Sequence, residues 1–479
     1  MVRSYKFQVP NSFFYVVLFE LILKTIMQIR SLVTAAILLT LIGISSCRDD
    51  FEFEQASDQL GFSTDTISLD TIFNHTNSQT YKFTVHNRQN EDVEIPRISL
   101  GRGENSFYRL NVDGMPGYNF ENVAVRAKDS IFVFVEIAAG DAPVNPFYED
   151  EVNFETTNGS QQVKLISWIE KALFYNTDMQ ENFSLGNVDW NSDYSRVIYG
   201  NVTAENFNAT AGTKIYFHDS SSLTVNGTMN VSGTKGNEVR FRSDRHDERS
   251  DSLPNMWGKI KIKSPSESIL NKINYAIIKG GNIGLEVENS KLEISNTKIL
   301  NNEIIGLYAI QANISGENLV INNSNIAALG IEGGTYDFRH CTFANFHNIG
   351  QGAGQNYSLY LSDTTGENNS PAPVDQAYFY NSIFYGRGYD AIHIDEGINN
   401  YVFNSNVIRG TNPEGAINTT DEDPMFIDPG FGKNDVRINA ESEVIGHASS
   451  EWLIPTDING IPRSGQLNPG AYQEAVMIE

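Results

Sequence analysis

Apolar and polar residues alternate with a period of two over about residues 60–175. The clearest runs have apolar residues at Tyr81-Phe83-Val85, Ile131-Val133-Val135 and Val163-Leu165. Turn-forming residues separate these runs, for example at 113–117 and 157–160. Because successive side chains of a strand point to opposite faces, this pattern predicts short strands that are each buried on one face. We therefore predict an antiparallel, Ig-like β-sandwich over residues 60–175.

A second pattern begins near Val188 and repeats about every 22 residues. Its unit is a pair of apolar residues five positions apart, found at Ile273/Ile278, Ile294/Ile299, Ile314/Leu319, Phe338/Phe343, Phe379/Phe384 and Val402/Val407. The second members are separated by 21, 20, 24, 41 and 23 residues, so the step of 41 is either two repeats or one repeat with a long loop. Polar residues stand between the pairs, at Asn296, Asn318, His340, Asn381 and Asn404.

Short strands with this period are typical of a parallel β-helix. One strand cannot bury its apolar side alone, whereas stacked repeats align equivalent residues into interior columns. We predict a β-helix over residues 186–473 with about ten coils, one strand spacing of ~4.8 Å apart. The polar residues would stack at its turns, where side-chain amides can satisfy backbone groups. A leucine-rich-repeat solenoid is the alternative, but the sequence lacks the helical half of that repeat.

Residues 1–47 have the order of an export signal. A short basic stretch at 27–30 precedes an apolar run that ends at Ile44, followed by Ser45-Ser46-Cys47. The run is too short to span a bilayer. Its ending resembles a bacterial lipobox, which implies acylation of Cys47 and cleavage before it. A plain secretory signal or an uncleaved anchor is the alternative. We expect translation to start at Met27 and residues 48–59 to form a tether.

The chain is strongly acidic, with 34 Lys and Arg against 59 Asp and Glu and a formal net charge of −25. Such a charge repels nucleic acid, so we expect no nucleic-acid partner. Cys47 and Cys341 are the two cysteines of the chain. This number excludes a disulfide framework and a cysteine zinc site.

Several later stretches carry a family resemblance. They are 211–217, 225–228, 257–260 and 273–278, with 423–429 and 469–472 near the end. These stretches resemble the right-handed parallel β-helix (pectin-lyase-like) repeat family of Bacteroidota surface lipoproteins. The resemblance covers residues 186–473 and implies a right-handed parallel β-helix there, with a C-terminal cap from about residue 424. With the sandwich predicted from the alternating pattern, we expect an all-β chain, an N-terminal β-sandwich followed by a right-handed parallel β-helix. It also implies a lipid-anchored, surface-exposed location in the outer membrane, but no established reaction.

The most concentrated polar chemistry lies in residues 389–396. In a strand, His393 and Asp395 would share one face with Ala391, while the isoleucines between them point inward. A carboxylate beside a histidine can act as a general base or bind a metal ion. A solvated outer face is the simpler interpretation.

The candidate ligand-binding or catalytic residues are Asp390, His393, Asp395, Glu396, Arg387 and Arg409. With Arg339, the two arginines recur at similar repeat positions, so they could line a groove for an anionic glycan or pair with surface carboxylates. Asp421 and Asp423 provide hard oxygen ligands, so calcium is the one cofactor left open, with a solvated turn as the alternative. The charged stretch 245–249 is predicted to be an exposed loop, and the long loop 350–376 is a natural place for function.

Three functions are compatible with these features. The first is a non-enzymatic envelope lipoprotein whose β-helix is a glycan-binding, partner-binding or structural module. The second is a polysaccharide lyase or hydrolase, weakened because Gly446-His447-Ala448 departs from the Gly-His-Gly of polygalacturonase relatives. The third is a subunit of a larger outer-membrane assembly. The expected partners are the membrane through the lipid anchor, and a polysaccharide or an envelope protein.

Overall fold

The computed structural model describes residues 23–24, 26–27, 30, 53–56, 60–247, 249–348, 356–366 and 368–477. From residue 60 onward the described chain is all-β, with three short 3-10 helices at Gly103–Asn105, Ser250–Ser252 and Ser450–Trp452. No helix within the described ranges is long and apolar enough to cross a membrane. The predicted lipobox, including Cys47, lies outside the described residues.

The strands before residue 171 form two sheets. They are β1 (Glu54–Gln55), β2 (Leu60–Phe62), β3 (Thr66–Ser68), β4 (Ile72–Phe73), β5 (Tyr81–Asn87), β6 (Val93–Leu100), β7 (Tyr108–Val112), β8 (Met115–Gly117), β9 (Asn119–Val125), β10 (Ser130–Ile137), β11 (Phe147–Thr156) and β12 (Gly159–Glu170). One sheet has the order β1-β6-β11-β12-β3, with β4 beside β12 and β9 beside β6. The other has the order β2-β5-β10-β7-β8 and is antiparallel throughout.

The alternating runs bury one face of each strand. In β10 the residues Ile131, Val133, Val135 and Ile137 are buried, and those between them are half-buried or exposed. Buried residues of both sheets form one apolar cluster. The period-two prediction is therefore confirmed for this part of the chain.

The later strands run parallel and form three rows. Row A, a ten-stranded sheet, contains β13 (Ala172–Tyr175), β16 (Ser195–Ile198), β19 (Lys214–Phe217), β22 (Val239–Ser243), β25 (Ala276–Lys279), β28 (Lys298–Asn302), β30 (Val320–Ser324), β32 (Thr342–Asn345), β35 (Ile383–Gly386) and β38 (Val407–Ile408). Rows B and C belong to one sixteen-stranded sheet because two long strands, β29 (Ile305–Glu317) and β31 (Ala327–Arg339), run through both.

The other strands of rows B and C are shorter. Row B contains β14 (Phe183–Ser184), β17 (Asn201–Ala204), β20 (Ser222–Val225), β23 (Ile260–Ile262), β26 (Ile283–Glu288), β33 (Tyr357–Ser362) and β36 (Ile392–Ile394). Row C contains β15 (Asn187–Trp190), β18 (Asn206–Thr210), β21 (Met229–Ser232), β24 (Leu270–Asn274), β27 (Lys291–Ser295), β34 (Val374–Tyr380) and β37 (Tyr401–Asn404).

Within each row, strands from successive repeats pair in parallel, with a register shift at Gly334/Thr335. One column of row B runs through Leu223, Ile260, Leu285, Leu307, Leu329 and Leu359, all fully buried. Apolar residues of all three rows belong to one cluster. Their burial removes from water the side that a single strand could not cover. The predicted interior columns are therefore present.

The predicted pairs are correct at four of six repeats. Residues Gly316/Ile321 and Phe403/Ile408 occupy the places that the pattern assigned to Ile314/Leu319 and Val402/Val407. The first difference has a steric cause. A Cβ on Gly316 would lie 2.3 Å from Cδ1 of Phe338, so the phenyl ring of the next repeat fills that volume. A search for apolar residues passes over such a glycine.

The step of 41 residues is a single repeat. Phe343 pairs directly with Phe384, and Phe338 pairs with Phe379. Of this repeat, β33 belongs to row B, and the described residues 346–348, 363–366 and 368–373 lie outside the strands of the three rows. Of the two interpretations, the long loop is correct.

A ladder of polar residues stacks at the turn between rows C and A. Asn296, Asn318, His340 and Asn381 all have left-handed backbone, with φ of 49°, 53°, 49° and 51°. Asn318 Nδ2 donates to Asn296 Oδ1 at 3.1 Å, and Asn381 Nδ2 donates to His340 Nε2 at 3.0 Å. Asparagine tolerates this conformation better than most residues. Ser405, with φ of 55°, takes the place predicted for Asn404.

The two parts of the chain meet at Glu170. Residues 172–175, predicted to belong to the first domain, pair with β16, so the parallel pairing begins at Ala172. The Glu170 carboxylate accepts hydrogen bonds from Ser195 Oγ at 2.8 Å and Tyr216 Oη at 2.9 Å, and it pairs with Lys214. This contact ties the last strand of the first part to the first strands of row A.

His246 packs at the same junction. Its ring centroid lies 4.8 Å from that of Phe73, and only 12% of its side chain is exposed. Burial lowers the pKa of His246 to about 4. The exposed-loop prediction for 245–249 is wrong for this residue, because its apolar partner comes from the first part of the chain.

Residues 424–477 cover the outer face of row A. Val436, Ile458 and Tyr472 are buried in one cluster with Leu300 and Val320. A second contact region brings Ile438 and Val444 against β35 and β38. The segment thus extends along the side of row A from β28 to β38, while its role as an end cap stays a prediction.

Candidate functional site

His393 lies on the outer face of row B, within the last strand of that row. Strand β36 pairs with β33, and His393 is directly opposite Tyr360. The two rings stack with centroids 4.8 Å apart and an interplanar angle of 13°. The Tyr357 ring lies next to both, with its centroid 5.2 Å from that of His393 and 6.1 Å from that of Tyr360. The structure thus places two tyrosine rings against the predicted histidine.

His393 and Asp395 share the outer face, as the period of two predicts. His393 Nε2 lies 3.1 Å from Asp395 Oδ1, and the two side chains are 38% and 28% exposed. Ala391, predicted on the same face, is instead buried in the interior cluster. The alternation fails there because the strand begins only at Ile392.

Asp390 lies beside an open groove at the last repeat. Its Oδ1 accepts the backbone N–H of Thr411 at 2.8 Å. The groove has a volume of about 580 Å³. We call it the tyrosine groove, and it is lined by Tyr357, Tyr389, Asp390, Ile392, His393, Ile394, Tyr401, Thr411, Asn412 and Pro413. Its size falls within the range of small-ligand sites.

The remaining predicted residues do not line the groove. Glu396 and Arg387 are exposed. The Arg409 guanidinium lies over the Tyr385 ring at 5.1 Å. Arg339 makes two hydrogen bonds to Asp337, at 2.9 and 2.8 Å, in row C. None of the three arginines is therefore among the residues that line the tyrosine groove, and a glycan groove at these arginines stays a prediction.

The calcium candidates are at the surface. Asp421 and Asp423 are exposed, and Asp423 Oδ1 accepts the N–H of Met425 at 2.7 Å. In the described part of the chain, no three His, Cys, Asp or Glu side chains are grouped so that they could hold a metal ion. A calcium site at these residues stays a prediction.

Sequence reasoning missed the aromatic residues of the site. Tyr357 and Tyr360 lie on β33, and Tyr401 lies on β37 in row C. Only alignment of repeats of unequal length shows that Tyr360 lies opposite His393. Burial raises the pKa of Tyr360, and the nearby Asp395 and Glu332 raise it further. Burial and Asp390 do the same for Tyr357.

Earlier repeats of row B have a different outer face. Lys261 Nζ lies 2.8 Å from Glu286 Oε1, and Lys263 Nζ lies 2.7 Å from Glu288 Oε1. Burial opposes the ionisation of Glu288, but hydrogen bonds from Lys261 and Lys263 lower the pKa of this carboxyl group. These repeats therefore balance their carboxylates with lysines.

Comparison with known proteins gives no family. No family model matches the chain, and no curated protein matches it. Among solved structures, the ASH/PapD-like domain 7 of human CEP192 is 11% identical with a TM-score of 0.17, over 27% of this chain and 97% of that one. A family 123 glycoside hydrolase from Clostridium perfringens is 7% identical with a TM-score of 0.19, over 26% of each chain. These likenesses are too weak to bear on fold or function.

Proposed function

We propose that the chain is an envelope lipoprotein in which a right-handed parallel β-helix, preceded by a β-sandwich, presents a glycan-binding groove. Support for the β-helix comes from the in-register parallel pairing of rows A, B and C and from their common interior cluster. Support for the sandwich comes from the two sheets that share one core.

The tyrosine groove carries the functional proposal. Three tyrosines, an asparagine, a threonine and a carboxylate line an open cleft. Tyrosine offers an aromatic face with negative potential to the apolar C–H groups of a sugar, together with a polar hydroxyl. The amide and hydroxyl groups of Asn412 and Thr411 can hydrogen-bond sugar hydroxyls. A glycan is therefore the ligand class that fits this surface best.

Tyr389→Ala tests this proposal without disturbing the core, because Tyr389 is 84% exposed. We expect glycans that bind the full, detergent-solubilised chain to bind this variant about tenfold more weakly, since a buried aromatic contact contributes about 1 kcal/mol or more. A glycan array followed by titration calorimetry measures the change. Tyr378→Ala, in row C and not among the residues that line the groove, is the control and should bind normally. Equal binding by both variants would rule out this groove as the site.

The contact between His393 and Asp395 favours one second candidate, a polysaccharide lyase or hydrolase. A histidine that is oriented by a carboxylate is a suitable general base. Incubating the full chain with each bound glycan, and assaying reducing ends and unsaturated products, separates the two proposals. Product release that is lost in His393→Gln would establish the enzyme, whereas binding without products supports the binding module.

The lipid anchor is tested by Cys47→Ala. A diacylglyceryl group on Cys47 would hold the protein at the membrane through its acyl chains, at about 0.8 kcal/mol per buried methylene. We therefore expect the variant to move from the membrane fraction to the soluble fraction, as measured by ultracentrifugation and immunoblotting. Cys341→Ala provides the control, because that thiol is buried. Continued membrane retention of Cys47→Ala would contradict lipidation.

A further inference from the structure

The tyrosine groove has an unbalanced charge. Asp390 is the one carboxylate among its described lining residues, and no Lys or Arg is among them. Residues 349–355, which precede Tyr357, contain no charged side chain in the sequence. Within the described lining, the Asp390 carboxylate therefore has no lysine or arginine beside it, and His393 is the one basic side chain.

One oxygen of the Asp390 carboxylate is held by a backbone hydrogen bond. Oδ1 is held by the Thr411 N–H. Within the described residues, no hydrogen bond or ion pair joins Oδ2 to another side chain, and Asp390 is half-buried. A carboxylate fixed through one oxygen is oriented for a ligand at the other.

The arginines of this repeat, Arg387 and Arg409, do not line the groove. Arg409 lies over Tyr385, on the ring that also contacts Asp423. Arg387 is exposed and does not line the groove. The neighbouring carboxylate of Asp395 adds negative charge close to His393. An acidic sugar would therefore meet repulsion that the lysines of earlier repeats do not relieve.

Tyrosine rings strengthen the preference for a cation. Tyr357, Tyr389 and Tyr401 line the groove with Asp390. The face of an aromatic ring attracts an ammonium group, and a carboxylate completes its hydrogen bonding. Resting on the glycan-binding function proposed above, we propose that the groove selects glycans containing unacetylated amino sugars, with Asp390 binding the sugar ammonium.

Three trisaccharides of equal length test this inference: a glucosamine trimer, an N-acetylglucosamine trimer and trigalacturonate. They are titrated calorimetrically into the full detergent-solubilised chain at about pH 6, below the usual pKa of an amine. A salt concentration of ~150 mM limits long-range attraction to the acidic chain. We expect the glucosamine trimer to bind at least about tenfold more tightly than the acetylated trimer, as a charged hydrogen bond allows. Trigalacturonate should bind most weakly.

The Asp390→Asn variant should bind the glucosamine trimer no more than about twofold more tightly than the N-acetylglucosamine trimer. It should still bind the acetylated trimer. Glu293→Gln, an exposed carboxylate in row C, should keep the full preference. A preference that survives Asp390→Asn would overturn the inference, because the cation would then bind elsewhere on the acidic surface. Equal affinity for all three sugars, or tighter binding of trigalacturonate, would overturn it while leaving the glycan-binding function standing. If none of these sugars binds and the glycan array is also blank, the proposed function itself fails.

Discussion

Phe379→Ala should lower the free energy of unfolding by about 3–5 kcal/mol, the usual cost of emptying a buried phenylalanine site. Phe379 is fully buried, and its ring stacks on Phe338 at 5.7 Å and on Phe403 at 4.8 Å. Because these rings come from three successive repeats, the cavity would weaken the contact between each repeat and the next. Urea denaturation of the full chain, followed by fluorescence and circular dichroism, measures the loss.

Phe132→Ala is the matched control for that experiment. This residue lies on β10 in the first part of the chain, and its side chain is 44% exposed. We expect a loss below about 1 kcal/mol, as is usual for surface positions. If Phe379→Ala cost no more than Phe132→Ala, the interior aromatic column would not stabilise the stack.

Acid should destabilise the protein through His340. Burial and, next, the positive charge of Arg463 lower the pKa of this histidine to about 3, against 6.5 for an ordinary histidine. Between these two pH values the unfolded chain binds a proton that the folded chain excludes, so the free energy of unfolding falls as the pH falls. At pH 4 this one group should cost about 3 kcal/mol relative to pH 7.5.

His340→Asn isolates that contribution. Asparagine occupies the equivalent turn at Asn318 and Asn381 and adopts the same left-handed backbone. The variant should be close to the wild type at pH 7.5 but more stable by about 3 kcal/mol at pH 4, because it has no proton to exclude. Carboxylates with lowered pKa, such as Asp435, lose stability in the same direction in both proteins.

His75→Asn serves as the comparison. His75 also has left-handed backbone, but its side chain is 60% exposed. We expect no gain in stability at pH 4 comparable with that of His340→Asn, because this side chain is mostly in water; urea titrations from pH 4 to pH 7.5 measure the difference. Identical acid sensitivity in His340→Asn and the wild type would assign the acid loss to other groups.

The repeating interior could be predicted from the sequence because each repeat has apolar residues at its own interior positions. Examples are Ile294, Ile299, Phe379 and Phe384, and their recurrence from repeat to repeat makes the pattern detectable. The prediction failed at Gly316, where the interior position has no side chain to detect. The hydrophobic pattern cannot identify an interior position whose space is filled by a side chain of the neighbouring repeat.

The candidate site was predicted only in part. His393 and Asp395 lie two residues apart, so the alternation of one strand was enough to place them together. Tyr357 and Tyr360 reach them across strands separated by loops of unequal length, and sequence spacing does not encode that meeting. His246 was missed for a similar reason, since its packing partner Phe73 belongs to the other part of the chain.

The single 41-residue repeat has an evolutionary consequence. Phe343 still pairs with Phe384 although the chain between them is about twice the usual length. The packing of the interior columns therefore does not depend on how much chain is inserted outside them. Insertions at such corners can lengthen, shorten or change composition at little energetic cost. The surface beside β33 can therefore change in sequence and length while the interior columns beneath it keep their packing.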